Sequence, residues 1–224
     1  MAAGEGRRLQ PMTHRWPKPV LPIDGRPVLA TLLRELAAAA IPRVFLVTGH
    51  LAEAVERLVG DGSAFGVELQ TVRQPAVLGS ADAVQRAVGA GATPPFLVSA
   101  ADTVFRAGDV ALFAEAFAAA GAAGAIAVRR DPPPSRARPG IRVADGFVDV
   151  IGVEDGELSA APLWAVDRPV FSRLCLDREP FELENAFRAA MEAGERIAGV
   201  EIGKTRDLTD PLDLVEENFP YLLP

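Results

Sequence analysis

Between Pro27 and Arg130 the chain alternates stretches of helical period with short apolar runs, and this alternation limits the fold more than any other feature. "PVLATLLRELAAAAI" (Pro27–Ile41) spaces its apolar residues for one helix face, begins on a proline and is stopped by Pro42. "RVFLVTGH" (Arg43–His50) reads as a strand buried on both faces, because its apolar residues run on without alternation. "LAEAVERLVG" (Leu51–Gly60) is a helix with a glycine stop, and "VELQTVRQ" (Val67–Gln74) is the next strand. "SADAVQRAVGA" (Ser80–Ala90) is a helix with serine at its N-cap, and "PFLVSAAD" (Pro95–Asp102) a strand ending in a carboxylate. The helix "DVALFAEAFAAAGA" and the strand "AGAIAVRR" complete the series. The pattern predicts an α/β fold: a doubly wound, mostly parallel sheet with helices on both faces.

The register changes after Arg130. "DPPPSRARPG" (Asp131–Gly140) is a proline-rich loop, and "GIRVADGFVDVIGVEDGELSAAPLWAV" reads as short strands joined by Asp-Gly turns. A small antiparallel insertion over 131–170 is the simplest reading. "PFELENAFRAAMEAGE" (Pro180–Glu195) is helical, "RIAGVEI" a strand, and "DPLDLVEENFPYLL" a final helix with Pro211 in its first turn. With no internal repeat and no linker-like stretch, residues 1–224 are expected to form one domain with a small annex.

The formal charge of −7 argues against a general nucleic-acid or acidic-membrane partner, although a local basic site remains compatible with it. Cys175 is the only cysteine, which rules out an intrachain disulfide and suits a reducing cytoplasm. "MAAGEGRRLQ" lacks the apolar core of a secretory signal, and no apolar run reaches the roughly 20 residues of a membrane helix. The expected protein is cytoplasmic, and a homo-oligomer is left open.

Four features bear on chemistry, since ligands of open α/β sheets sit beyond the carboxyl ends of the parallel strands. In "AAGEGRRL" (Ala2–Leu9) the glycines let backbone N–H groups approach phosphate oxygens and the arginines add charge-assisted contacts, unless the stretch is a solvated terminus. In "WPKP" the prolines hold Lys18 in a rigid extended segment; taken alone it is a surface turn. Asp102 is placed as a Mg2+ ligand, or as a helix cap or turn residue. Gln74 and Gly79, in "RQPAVLGSADAV", suit the reading of a nucleobase edge, or a plain strand–turn–helix link.

Taken in order, these features carry more weight. "AAGEGRRLQPMT…PKPVLPIDGRPVL" resembles the signature of the sugar-1-phosphate nucleotidylyltransferases, LAAGxGxRLxPxT…PKPxLPxxGxPxL. "QPAVLGSADAV" is similar to that family's base-binding segment, and the strand ending in Asp102 to the one carrying its first metal aspartate. "TRDLTDPLDLVEEN" (Thr205–Asn218) resembles its closing WxDIGTPEDLxxAN segment, which aligns the second metal aspartate with Asp207. The resemblance implies a Rossmann-like, GT-A-like fold. It also implies a reaction in which a sugar-1-phosphate oxygen attacks the α-phosphorus of an NTP and pyrophosphate leaves, with Mg2+ as cofactor. Carried over by position, Ala3, Gly4 and Gly6 would present the backbone to the triphosphate and Arg8 would hold the departing pyrophosphate. Lys18 would stabilise the α-phosphate, Asp102 and Asp207 would hold the metal, and Gln74 with Gly79 would read the base.

Departures from the pattern gather on the sugar side. The family's Gly-Asp is Ala101-Asp102 here, and its AGIY strand is "APLWAV". The aromatic before the second metal aspartate is replaced near Thr205. No lysine lies between Lys18 and Lys204, so the mid-chain EKP has no counterpart; Arg136, Arg138 and Arg142 are the candidates to replace it. Arg7 stands where the family has a small threonine or serine. The short length and absent EKP resemble the compact branch that includes the N-acetylmuramate-1-phosphate uridylyltransferases. The alternative reading is a catalytically weakened relative that binds nucleotide as a regulatory or binding module, favoured if Asp102 and Asp207 lie too far apart to share an ion. The family's loop also follows a central strand of the type KAVIL, whose place Met1 takes here. A start assigned a few residues late, a truncation and a rearranged sheet are the three explanations, and the first is expected.

Overall fold

The expected strands and helices form near where the periodicity places them, with ends that shift by a few residues, and several two-residue strands and a short helix over Arg168–Phe171 are added to them. Two short strands, β1 (Pro22–Ile23) and β2 (Arg26–Pro27), lead into helix α1 (Val28–Ala38). Strand β3 (Arg43–Thr48), helix α2 (Ala52–Val59), strand β4 (Glu68–Arg73) and helix α3 (Ser80–Gly89) follow. Next come β5 (Phe96–Ser99), β6 (Thr103–Val104), α4 (Asp109–Ala120) and β7 (Gly124–Arg129). The series continues with β8 (Gly140–Ala144), β9 (Phe147–Val153), β10 (Leu158–Val166) and α5 (Arg168–Phe171). It closes with α6 (Leu183–Glu192), β11 (Ile197–Glu201), β12 (Arg206–Asp207) and α7 (Pro211–Asn218). The computed structural model describes residues 1–131, 134, 140–153, 156–177 and 181–222.

These residues divide into two compact units. The first comprises Met1–Val77, Ala100–Phe105 and Arg206–Pro224. Strands β3 and β4 pair in parallel from Arg43↔Glu68 to Thr48↔Arg73. Ala2 adds a parallel bridge to Thr48, its N–H donating to the Val47 carbonyl at 2.7 Å, and the Ala101 N–H donates to the Met1 carbonyl at 2.9 Å. Helix α1 buries Val28, Leu29, Ala30, Leu32, Leu33 and Leu36, the face its spacing predicts. The β1–β2 hairpin turns through Asp24 and Gly25, at φ +52° and +68°, the left-handed pair that a tight hairpin requires. Beneath it Leu9, Leu21, Ile23, Val28 and Leu208 form a buried cluster, which ties the start of this unit to the segment after β12. Strand β12 pairs antiparallel with β6, Asp207 opposite Thr103 and Arg206 opposite Val104.

The second unit comprises Leu78–Ser99 and Arg106–Thr205. Its six-stranded sheet has the order β5-β10-β7-β11-β9-β8. This sheet is mixed rather than mostly parallel. Among the described residues only β7 and β11 pair in parallel in this sheet, while β10 lies antiparallel between β5 and β7. The chain returns from the β8–β9 hairpin into the middle of the sheet, and hydrophobic period gives no strand direction, so the sequence could not reveal it. Strand β7 is buried along its whole length and β10 alternates, with Leu163, Ala165 and Val166 fully buried.

Candidate active site

The glycine loop has an internal reason for its shape. Gly6 sits at φ +63°, and a Cβ there would lie 2.9 Å from Cγ2 of Thr13, so both conformation and space demand glycine. The Thr13 hydroxyl, on a residue only 1% exposed, donates to the Gly6 carbonyl at 3.0 Å. His50, just beyond β3, grips the loop twice. Its backbone N–H donates to the Ala3 carbonyl at 3.3 Å, and its Nε2 meets the Thr13 carbonyl at 2.8 Å. A carbonyl can only accept, so Nε2 carries the proton in that bond. Gly49 lets the loop come this close, since a Cβ on it would stand 2.8 Å from Ala3. Gly4 differs: its φ is not positive, and nothing lies within 4 Å of where its Cβ would be. Packing does not require glycine at that position.

Gly4, Gly6, Arg7, Arg8, Lys18 and Asp102 line one cavity of about 280 Å³, near the lower end of the ~300–1,000 Å³ of pockets that enclose a whole ligand. That size suits the phosphate end of a nucleotide. Lys18 opens a 3₁₀ turn after the extended Pro17, rather than lying in an extended segment, and its side chain is only 14% exposed. Its Nζ lies 2.6 Å from Oδ2 of Asp102 and 3.9 Å from Oδ2 of Asp207. One point charge thus reaches both carboxylates. Thr209 donates its hydroxyl to Asp207 Oδ2 at 3.2 Å, which fixes that carboxylate from the other side. Asp102 lies beyond β5, which ends at Ser99 instead of running through to the carboxylate.

The remaining expected residues are placed as follows. Arg8 is exposed on the cavity wall, and Arg7, also exposed, pairs with Glu5 at 2.6 Å. Gln74 is buried, and its N–H donates to the Thr48 carbonyl at 2.7 Å. Gly79 belongs to the second unit, at φ +111°, and a Cβ there would stand 2.4 Å from the Phe181 carbonyl oxygen. The close approach of the Phe181 backbone is therefore sufficient reason for glycine at this position. Arg142 is paired with Asp149 at 2.6 Å, while Arg136 and Arg138 lie outside the described residues. Sequence reasoning missed Thr13, His50 and Thr209. A threonine inside the loop motif was the one available signal, and the histidine was absorbed into the end of a strand.

The donor set fits a Mg2+ ion. Asp102 and Asp207 offer hard carboxylate oxygens, and the Lys18 ammonium already sits between them as a cation. Among the described residues no three His, Cys, Asp or Glu side chains cluster. Mg2+ suits such a site, because it binds through one or two carboxylates and completes its shell with water and phosphate oxygens.

Residues 1–141 match the family model described as nucleotidyl transferase. The chain belongs to the nucleotidyl transferase family. Within it, the chain is 29% identical over 230 residues to the low-salt glycan biosynthesis nucleotidyltransferase Agl11 of Haloferax volcanii, covering 97% of this chain and 64% of that one. It is 33% identical over 105 residues to the N-acetylmuramate alpha-1-phosphate uridylyltransferase of Neisseria meningitidis serogroup B, 46% of each chain. Both alignments span less than two thirds of the relative's own length. A UDP-glucose pyrophosphorylase structure from Acinetobacter baumanii superposes with a TM-score of 0.81 at 19% identity, over 96% of this chain and 89% of that one. That likeness shows that the family's α/β fold is shared.

Proposed function

We propose that this nucleotidyl transferase joins a sugar-1-phosphate to the nucleoside monophosphate of an NTP, as one domain over residues 1–224. The observation that carries the reading is the ammonium of Lys18 within reach of both Asp102 and Asp207, on a cavity walled by the glycine loop and Arg8. In the reaction a phosphate oxygen of the sugar-1-phosphate forms a bond to the α-phosphorus. The bond from that phosphorus to the bridging oxygen breaks, and pyrophosphate leaves with the electron pair. The protein's share is positioning and charge neutralisation.

In this reading Ala3, Gly4 and Gly6 present the loop backbone to the triphosphate, and Arg8 holds the departing pyrophosphate. Lys18 neutralises the α-phosphate; Gln74 and Gly79 serve the base. Asp102 and Asp207 would hold Mg2+, which supplies charge neutralisation at the phosphates when bound. The name of the Neisseria relative, an N-acetylmuramate alpha-1-phosphate uridylyltransferase, supports a sugar-1-phosphate acceptor. A cytoplasmic setting agrees with an exposed, unpaired Cys175, and among the described residues no helix is long and apolar enough to cross a membrane. The test is pyrophosphate release from each NTP across a panel of sugar-1-phosphates. Release with one pair or a few supports the reading, and nucleotide binding without release from any pair overturns it for that panel.

A further inference from the structure

Strand β12 consists of two residues, and its neighbours along the chain face away from the Asp207 carboxylate. Side chains alternate along a strand, so Arg206 and Leu208 share the face opposite Asp207. Leu208 is fully buried in the cluster beneath the β1–β2 hairpin. Arg206 reaches the same hairpin. Its Nη1 donates to Asp24 Oδ2 at 2.7 Å and its Nη2 to Asp24 Oδ1 at 2.8 Å, a two-pronged fork on one carboxylate. Its Nε donates to Glu217 Oε2 at 2.5 Å, on α7. The guanidinium is held further onto its proton by these two carboxylates, and the Asp24 carboxyl is held below its ordinary value by the same bonds.

The partners of Arg206 are themselves tied together. The Asp24 N–H donates to the Glu217 carbonyl at 3.2 Å, and the Gly25 N–H to Asn218 Oδ1 at 2.8 Å. Asn218 Nδ2 donates in turn to the Pro22 carbonyl at 2.8 Å. A hairpin turn, the end of α7 and β12 thus meet around one guanidinium. A two-residue strand has few ladder bonds to fix its own setting, so the side chains flanking Asp207 add to it, beside the Thr209 hydroxyl on the carboxylate itself.

We propose that Arg206 is the positioning residue of the second metal carboxylate. Anchored to Asp24 and Glu217, it sets β12 so that Asp207 points at the cation position now held by Lys18. The inference rests on the reading of Asp207 as a metal ligand. Arg206 does not line the cavity, so its loss should weaken metal binding and leave the phosphate grip intact. Lysine keeps the charge at this position but cannot form the fork.

The experiment titrates Mn2+ into the protein, followed by electron paramagnetic resonance of the free ion, and separately measures NTP binding in chelator. Asp207→Asn serves as the control for the underlying reading. Arg206→Met is expected to weaken Mn2+ binding by roughly tenfold, the lower end of what partners of metal ligands contribute, with Arg206→Lys in between. NTP affinity in chelator stays at the parent value. Asp24→Asn, at a 65% exposed side chain where folding is not at risk, is expected to move Mn2+ affinity in the same direction. If Asp207→Asn weakens Mn2+ binding while Arg206→Met and Asp24→Asn do not, the positioning role is overturned and the metal reading stands. If Asp207→Asn leaves Mn2+ binding unchanged, the metal reading fails and the inference fails with it. Equal loss of Mn2+ and NTP binding in the Arg206 variants would show a general structural role and overturn the proposal.

Discussion

The Lys18 ammonium lies 2.6 Å from Oδ2 of Asp102, so the lysine stands where a divalent ion on that carboxylate would place its charge. In the proposed reading, a divalent ion on Asp102 would compete with the lysine in the nucleotide-free protein, and a bound phosphate would relieve the competition by pairing with the ammonium. Lys18→Ala is expected to lower turnover by about 10²–10³-fold, as loss of a charge-stabilising group does, yet to tighten Mn2+ binding without nucleotide. Initial rates and a Mn2+ titration check the two halves. Weaker Mn2+ binding in the variant would rule out the competition.

The two loop glycines should separate stability from binding. Gly6→Ala meets both a left-handed backbone and the Thr13 methyl, and is expected to cost about 1–3 kcal/mol of folding stability. Gly4→Ala meets open space and should leave the thermal midpoint near that of the parent, while the added methyl obstructs the cavity wall and weakens NTP binding. Thermal melts with and without NTP distinguish the two. Equal behaviour of both variants would contradict the distinction.

The side chain of His50 acts on the loop through its donated bond to the Thr13 carbonyl. His50→Ala removes it and leaves that carbonyl without its partner, at a cost of about 1–3 kcal/mol to the loop. His50→Gln can reach with an amide N–H and should recover part of the loss. The KM for NTP is the readout, expected to rise in the alanine variant and to return toward the parent value in the glutamine variant.

Acid should expose the Asp24 clamp. The Asp24 carboxyl is held below its ordinary value of 3.8, first by the hydrogen bond from Arg206. A carboxyl lowered in the folded state binds fewer protons there than in the unfolded chain. Its contribution is therefore full above the ordinary value and is lost as pH falls through the folded one. Asp24→Asn should flatten part of the fall in thermal midpoint below pH 3.8 and leave a constant offset near neutrality. The change is small, because Asp24 is 65% exposed and water screens its pairing. A parent-like acid limb in the variant would count against the clamp's carboxylate.

The helices and strands of residues 27–130 were legible because each is a local pattern of period 2 or 3.6 with proline or glycine at its ends. The direction of β10 was not, since Leu158–Val166 reads the same for either orientation and only pairing with β5 and β7 decides it. At the candidate site, the family resemblance named Gly4, Gly6, Lys18, Asp102 and Asp207. The contact of Lys18 with both carboxylates was not readable, because it depends on three segments brought together by the fold. Arg206 and His50 escaped notice for a related reason. Each works through a partner remote in sequence, and neither residue type at its position carries a local signal.

The site is built on two length scales. Gly6 and Thr13 meet across seven residues, whereas Arg206 and Asp24 meet across 182. Closing so long a loop adds only a modest entropy beyond a shorter one, since the cost grows with the logarithm of length, but contacts of such separation form slowly. The Gly6–Thr13 turn of the glycine loop can therefore close early in folding, from neighbouring chain. The setting of Asp207 leans on contacts among the hairpin, β12 and the closing helix, so in the proposed reading metal binding would be the later of the two acquisitions.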